Sequence, residues 1–125
     1  MNFNEYYWHD AVIKNVQIDR TNPGVNDTIL LEIEWPKNKN KSNFIFEDVY
    51  WACLNLNFGV VCDETILSAE LIDGEDADVD NFYIKWKGAM NDVKLNVYKI
   101  ELNSTGGFLK ILAKNFREDK VYPPN

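Results

Sequence analysis

The chain has little of what most reactive centres are made from. Its 125 residues include one histidine, His9, and two cysteines, Cys53 and Cys62, with no CxxC spacing. Zinc sites draw on clustered His and Cys, so most metal centres are excluded. Two cysteines placed this way read as buried thiols in a reducing compartment rather than as a staple. No GxSxG context surrounds Ser68, Ser104 or Thr105, and Gly106-Gly107 lacks the Lys and following helix of a phosphate loop. No apolar run approaches the ~18 residues of a membrane span. The start, MNFNEYYWHD, lacks the basic and apolar regions of a signal peptide, which points to a cytoplasmic protein.

The most telling shortage is of positive charge. Between Lys41 and Lys85 there is no basic residue, while ten carboxylates fall there: Glu47, Asp48, Asp63, Glu64, Glu70, Asp73, Glu75, Asp76, Asp78 and Asp80. The net charge of −7 is therefore concentrated in one block. Such a field repels nucleic acid and anionic membrane and attracts basic partners. Lys110, Lys114, Arg117 and Lys120 make the C-terminal end modestly basic, but with the acidic block repelling phosphate, nucleic-acid binding is not expected.

What is present suffices for one domain spanning 1–125, which at this size buries roughly two-thirds of the surface its unfolded form exposes. Four Trp, six Tyr and seven Phe supply large core pieces. Short β-like runs alternate with turn chemistry. Val12, Val16 and Ile18 share one strand face, and Thr21-Asn22-Pro23-Gly24 is a turn signal. Ile29, Leu31, Ile33 and Trp35 then alternate with Thr28, Glu32 and Glu34, which predicts a hairpin. Phe44 and Phe46 open a third run that continues to Phe58, with a bend or bulge at Glu47-Asp48. Further strands are predicted over Ile66–Ile72, Val93–Leu102 and Phe108–Phe116, the last two joined by a tight reversal at Gly106-Gly107. Val79, Phe82, Tyr83 and Trp86 fall at helical spacing, so one short helix is predicted near residues 78–88, favoured over an alternating reading of Phe82, Ile84 and Trp86. Residues 117–125 are expected to form a flexible tail. The expected fold is mainly β, with six to seven antiparallel strands as a sandwich or an open barrel.

Few side chains invite a catalytic reading. His9-Asp10 could be a base and its orienting acid, but neighbours on a strand point to opposite faces, so hydrogen bonds that fix the first strand are the favoured role. Asp76, Asp78 and Asp80 have the spacing that begins a calcium loop. The required Gly and Glu are replaced by Asn81 and Lys87, which favours an acidic turn capping a helix. Glu32 and Glu34 share a strand face and read as its wet side. No enzyme activity, cofactor or metal is expected.

Tyr6-Tyr7-Trp8-His9-Asp10, Phe46-Glu47-Asp48, Asn57-Phe58-Gly59 and Asn103-Ser104-Thr105-Gly106 together form a linear pattern from residue 6 to about 116. The pattern resembles small acidic bacterial proteins of largely uncharacterised function, some of them immunity proteins of polymorphic or contact-dependent toxin systems. That resemblance brings no catalytic residues. It implies a binding protein that neutralises a toxin by covering its active site or blocking its substrate. An acidic inhibitor gains steered association at a basic cleft. The expected partner is thus a basic protein such as a toxin domain, met by Asp73, Glu75, Asp76, Asp78 and Asp80 as rim charges. Tyr83 or Trp51 is the expected aromatic anchor. The rival expectations are a small-molecule-binding β-barrel, a structural subunit of an assembly and, last, a hydrolase using His9 with Asp10 or Glu47.

Overall fold

The computed structural model describes residues 1–121. A 3-10 turn at Phe3–Glu5 precedes strands β1 (Val12–Asp19), β2 (Thr28–Glu34), β3 (Lys41–Asn55) and β4 (Ile66–Ile72). Helix α1 (Ala77–Lys85) follows, then β5 (Asn96–Leu102) and β6 (Phe108–Val121). The strands make two antiparallel meanders, β1-β2-β3 and β4-β5-β6, that join along β3 and β6. The result is one six-stranded sheet in the order β1-β2-β3-β6-β5-β4. There is no second sheet among the described residues, so the sandwich falls away. The sheet curls until its two edges touch at one corner, where Val12 bridges Thr65 and the Ile13 amide donates to Glu64 O at 2.9 Å. Beyond that corner the sheet is not closed.

Alternation puts Ile29, Leu31 and Ile33 of β2, Phe44 and Phe46 of β3, Ile100 of β5 and Leu109 and Ile111 of β6 on the inner face, where all are buried. Phe3 is fully buried among them, its ring 4.7 to 6.5 Å from those of Trp8, Phe44, Phe46, Tyr98 and Phe116. The interior is thus filled by aromatic side chains. On the outer face α1 lays Phe82 against Val97 and Leu112, with Trp51, Val79 and Tyr83 around them. That helix begins one residue before the predicted span and ends three before it.

The predicted bend in β3 is a bulge inside one long strand. Asp48 takes a positive φ of 52°, and the register against β6 shifts between Val49 and Trp51. The strand stops at Asn55, so Leu56 to Phe58 lie beyond it. At the other end, Arg117 to Val121, expected to fray, instead continue β6: Arg117 pairs with Ile45 and Val121 with Lys41. Residues 122–125 of that expected tail lie outside the described residues.

Where the segment 1–10 runs along β4 it satisfies that strand's outer edge. The Asn4 side chain accepts from the Leu71 amide at 2.6 Å and donates to Leu71 O at 3.3 Å. The Asp10 amide donates to Ile66 O, and His9 Nδ1 lies 3.1 Å from Leu67 O. A short polar chain ties the same segment to β3 and β6. Trp35 Nε1 donates to Ser42 Oγ at 3.0 Å, Ser42 donates to Glu118 Oε2 at 2.6 Å, and Tyr6 donates to Glu118 Oε1 at 3.1 Å. Burial first, and then the Glu118 carboxylate, push the Tyr6 phenol up to about 12, so it stays a donor at any ordinary pH.

Phe3→Ala should therefore lower unfolding stability by about 3–5 kcal/mol, read from urea denaturation, because the neighbouring rings cannot collapse into the space. A loss under 1 kcal/mol would mean that the segment is not what fills the curl.

Candidate functional site

The acidic stretch leading into α1 is built by a turn and a cap. Gly74, at φ 102°, reverses the chain after β4. Asp76 is then the N-cap, its Oδ1 accepting from the amides of Asp78 at 3.0 Å and Val79 at 3.2 Å. Its other oxygen accepts from Lys110 Nζ at 2.8 Å, and Asp78 Oδ2 lies 2.5 Å from the same ammonium. Lys110 thus occupies the place between Asp76 and Asp78 where a bound cation would stand, and these two acids are engaged inside the fold. Burial alone would raise the Asp76 carboxyl, but the Lys110 hydrogen bond and the two amides outweigh it and hold the group below the usual range. Burial would likewise lower Lys110, and its bonds to Asp76 and Asp78 outweigh that and raise it.

Asp73, Glu75 and Asp80 are exposed and form no ion pair among the described residues. Of the six residues read from the sequence as a contact surface, these three are free to meet a partner. The sixth, Tyr83, is half-buried, and its hydroxyl donates to Val93 O. Trp51 is half-buried in the same cluster. The large apolar side chains that α1 and its cap do present are Ile84, 71% exposed, and Trp86, 45% exposed. Helical spacing places Trp86 on the buried face with Phe82. Trp86 does border that face, its amide donating to Phe82 O at 3.3 Å and its ring 6.5 Å from that of Phe82, but it is the C-cap of a helix that ends at Lys85 and is left 45% exposed. Asp80 and Ile84, four residues apart, share the outward face.

Folding also redistributes the acidic block. Lys14 reaches Asp63 at 3.6 Å, Arg117 reaches Glu47 at 3.4 Å, and Lys110 holds Asp76 and Asp78, so bases from both flanks cross into it. Glu32 and Glu34 are likewise matched, by Lys41 at 3.4 Å and Lys14 at 3.8 Å. What stays unpaired gathers mainly at the end of β4 and the start of α1. Lys110 was not legible as a site residue. Its outward position on an alternating strand is a signal, but its partners lie 32 and 34 positions away. His9 has a side chain 53% exposed and 3.7 Å from Asp10.

No protein-family model matches the chain, and no curated protein matches it.

Asp76→Ala removes the cap and half of the Lys110 clamp and should cost about 1–2 kcal/mol in thermal or urea unfolding. The clamp also sets a pH dependence. The lowered Asp76 contributes stability at neutral pH that is lost as pH falls through the carboxylate range. The raised Lys110 contributes stability that is present below the ordinary lysine range and lost as pH rises through its elevated value. Circular dichroism across pH should show the acid loss diminished in Asp76→Asn, and an unchanged acid limb would remove Asp76 from the explanation.

Proposed function

We propose that the protein is a non-catalytic binding protein of the immunity type. In this reading it neutralises a basic partner, such as a toxin domain, through the acidic edge of α1. The observation that carries this reading is the contrast within one short stretch. Asp76 and Asp78 are locked onto Lys110, whereas Asp73, Glu75 and Asp80 stand exposed and unpaired, with Ile84 and Trp86 exposed at the other end of the same helix. Unpaired carboxylates at one end of a helix and an exposed Ile and Trp at the other supply the two parts of an interface: charge that steers encounter and an apolar anchor that slows release.

A small-molecule site is the second reading, and one observation favours it. Tyr6, Tyr7, Trp35 and Pro36 wall an open cleft of about 740 Å³ on the outside of the filled interior. An apolar ligand there would quench Trp35 fluorescence and leave the acidic edge untouched.

The triple variant Asp73→Lys, Glu75→Lys, Asp80→Lys spares the Lys110 clamp and should fold. Against the basic protein captured by the wild type from a lysate of the source organism, its association rate should fall about tenfold or more at low salt. The salt dependence should flatten as well, while Trp86→Ala should mainly speed dissociation. Equal rates and equal salt slopes for the wild type and the triple variant would sink the proposal.

A further inference from the structure

The two edges of the sheet are treated differently. The outer side of β4 is covered by Asn4, His9 and Asp10. The outer side of β1 is engaged only at Val12 and Ile13, and from Asn15 to Asp19 its backbone makes no hydrogen bond on that side among the described residues. Edge strands left open are liabilities that folded proteins usually block. This one opens onto a cleft of about 420 Å³, with Ile13 to Val16 along one bank and Leu56, Phe58 and Val60 along the other. The register of β1 shifts between Ile13 and Asn15, and the cleft reaches Asn15 and Val16, where the unpaired stretch of the edge begins. The opposite bank is apolar and uncovered: Phe58 is 85% exposed, and Val60 and Val61 are exposed with it.

We propose that the free edge of β1 and the loop carrying Phe58 form a slot for one extended strand of a partner protein, which adds to the sheet beside β1. Main-chain hydrogen bonds to Asn15–Asp19 would supply part of the affinity, and alternate side chains would meet the Phe58 bank. The charge at the slot selects the strand. The one base that lines it, Lys14, lies 3.8 Å from Glu34 and 3.6 Å from Asp63, while Glu64 Oε1 is buried without a partner. A strand alternating apolar with basic residues complements that rim. A second copy of this chain fits less well. A folded sheet edge would bring its own Phe58 loop into the opposite bank. The slot is separate from the acidic edge of α1, and neither requires the other.

The test uses the whole protein and the labelled peptide Val-Lys-Val-Thr-Val-Lys-Val-Thr, matched to the eight residues of β1. Fluorescence anisotropy should show saturable binding, and hydrogen exchange should slow over Asn15–Asp19 but not over β4. Phe58→Ser with Val60→Ser, both exposed positions, should weaken binding about tenfold while leaving the urea midpoint unchanged. The triple lysine variant of the acidic edge should still bind by adding a strand and protecting the same β1 amides, which separates this result from the fate of the inhibitor reading. Absence of binding, equal binding by a peptide N-methylated at alternate residues, or protection elsewhere would each overturn the proposal. So would a peptide-free dimer that protects the same β1 amides, because it would put a second copy in the slot.

Discussion

A curled sheet presents a concave apolar face, and the ring of Phe3 sits at the centre of what fills it. Five aromatic rings from the N-terminal segment and from β3, β5 and β6 approach that ring at 4.7 to 6.5 Å. Because both meanders contribute, Phe3 ties one half of the sheet to the other, and its segment is held by hydrogen bonds from Asn4 to β4 and from Tyr6 to β6. Without it the inner face would have neither a second sheet nor a helix to cover it, since α1 lies on the opposite side.

The same division explains the distribution of charge. Inner positions along the strands are apolar, so ionised groups collect on the outer face and at the ends. Bases separated in sequence from the acidic block are brought to it there by strand pairing. The surface field is consequently weaker than the block suggests at Glu47, Asp63, Asp76 and Asp78, and it persists at Asp73, Glu75 and Asp80.

Period-two alternation made the strands readable, because one face of the sheet is dry. The hairpins followed from turn residues, and the bulge at Asp48 from two acids interrupting an apolar run. The acidic turn at Asp76, Asp78 and Asp80 marked where α1 begins because capping is a local property, but the cap is Asp76 rather than the later Asp78 or Asp80. The layer arrangement was not readable, since the choice between a sandwich and a curled sheet depends on where residues 1–10 dock. β6 was read too short because Arg117, Glu118, Asp119 and Lys120 look like a solvated end. They belong to a strand partly because Arg117 pairs with Glu47 across the sheet and Glu118 receives Ser42 and Tyr6. The candidate site was half legible. Its acids stood out, but which of them were already engaged depended on Lys110, whose partners lie far away in sequence.

The seam between β3 and β6 has a consequence for biosynthesis. It pairs position 41 with position 121, so it cannot be completed until the residues of β6, 80 positions later, have left the ribosome. Until then the β1-β2-β3 meander can form with Phe44 and Phe46 uncovered on one face and the inner edge of β3 unpaired, a state prone to aggregate. Chaperone demand in the cell should therefore be set by the delay before β6 emerges, rather than by the stability of the finished fold.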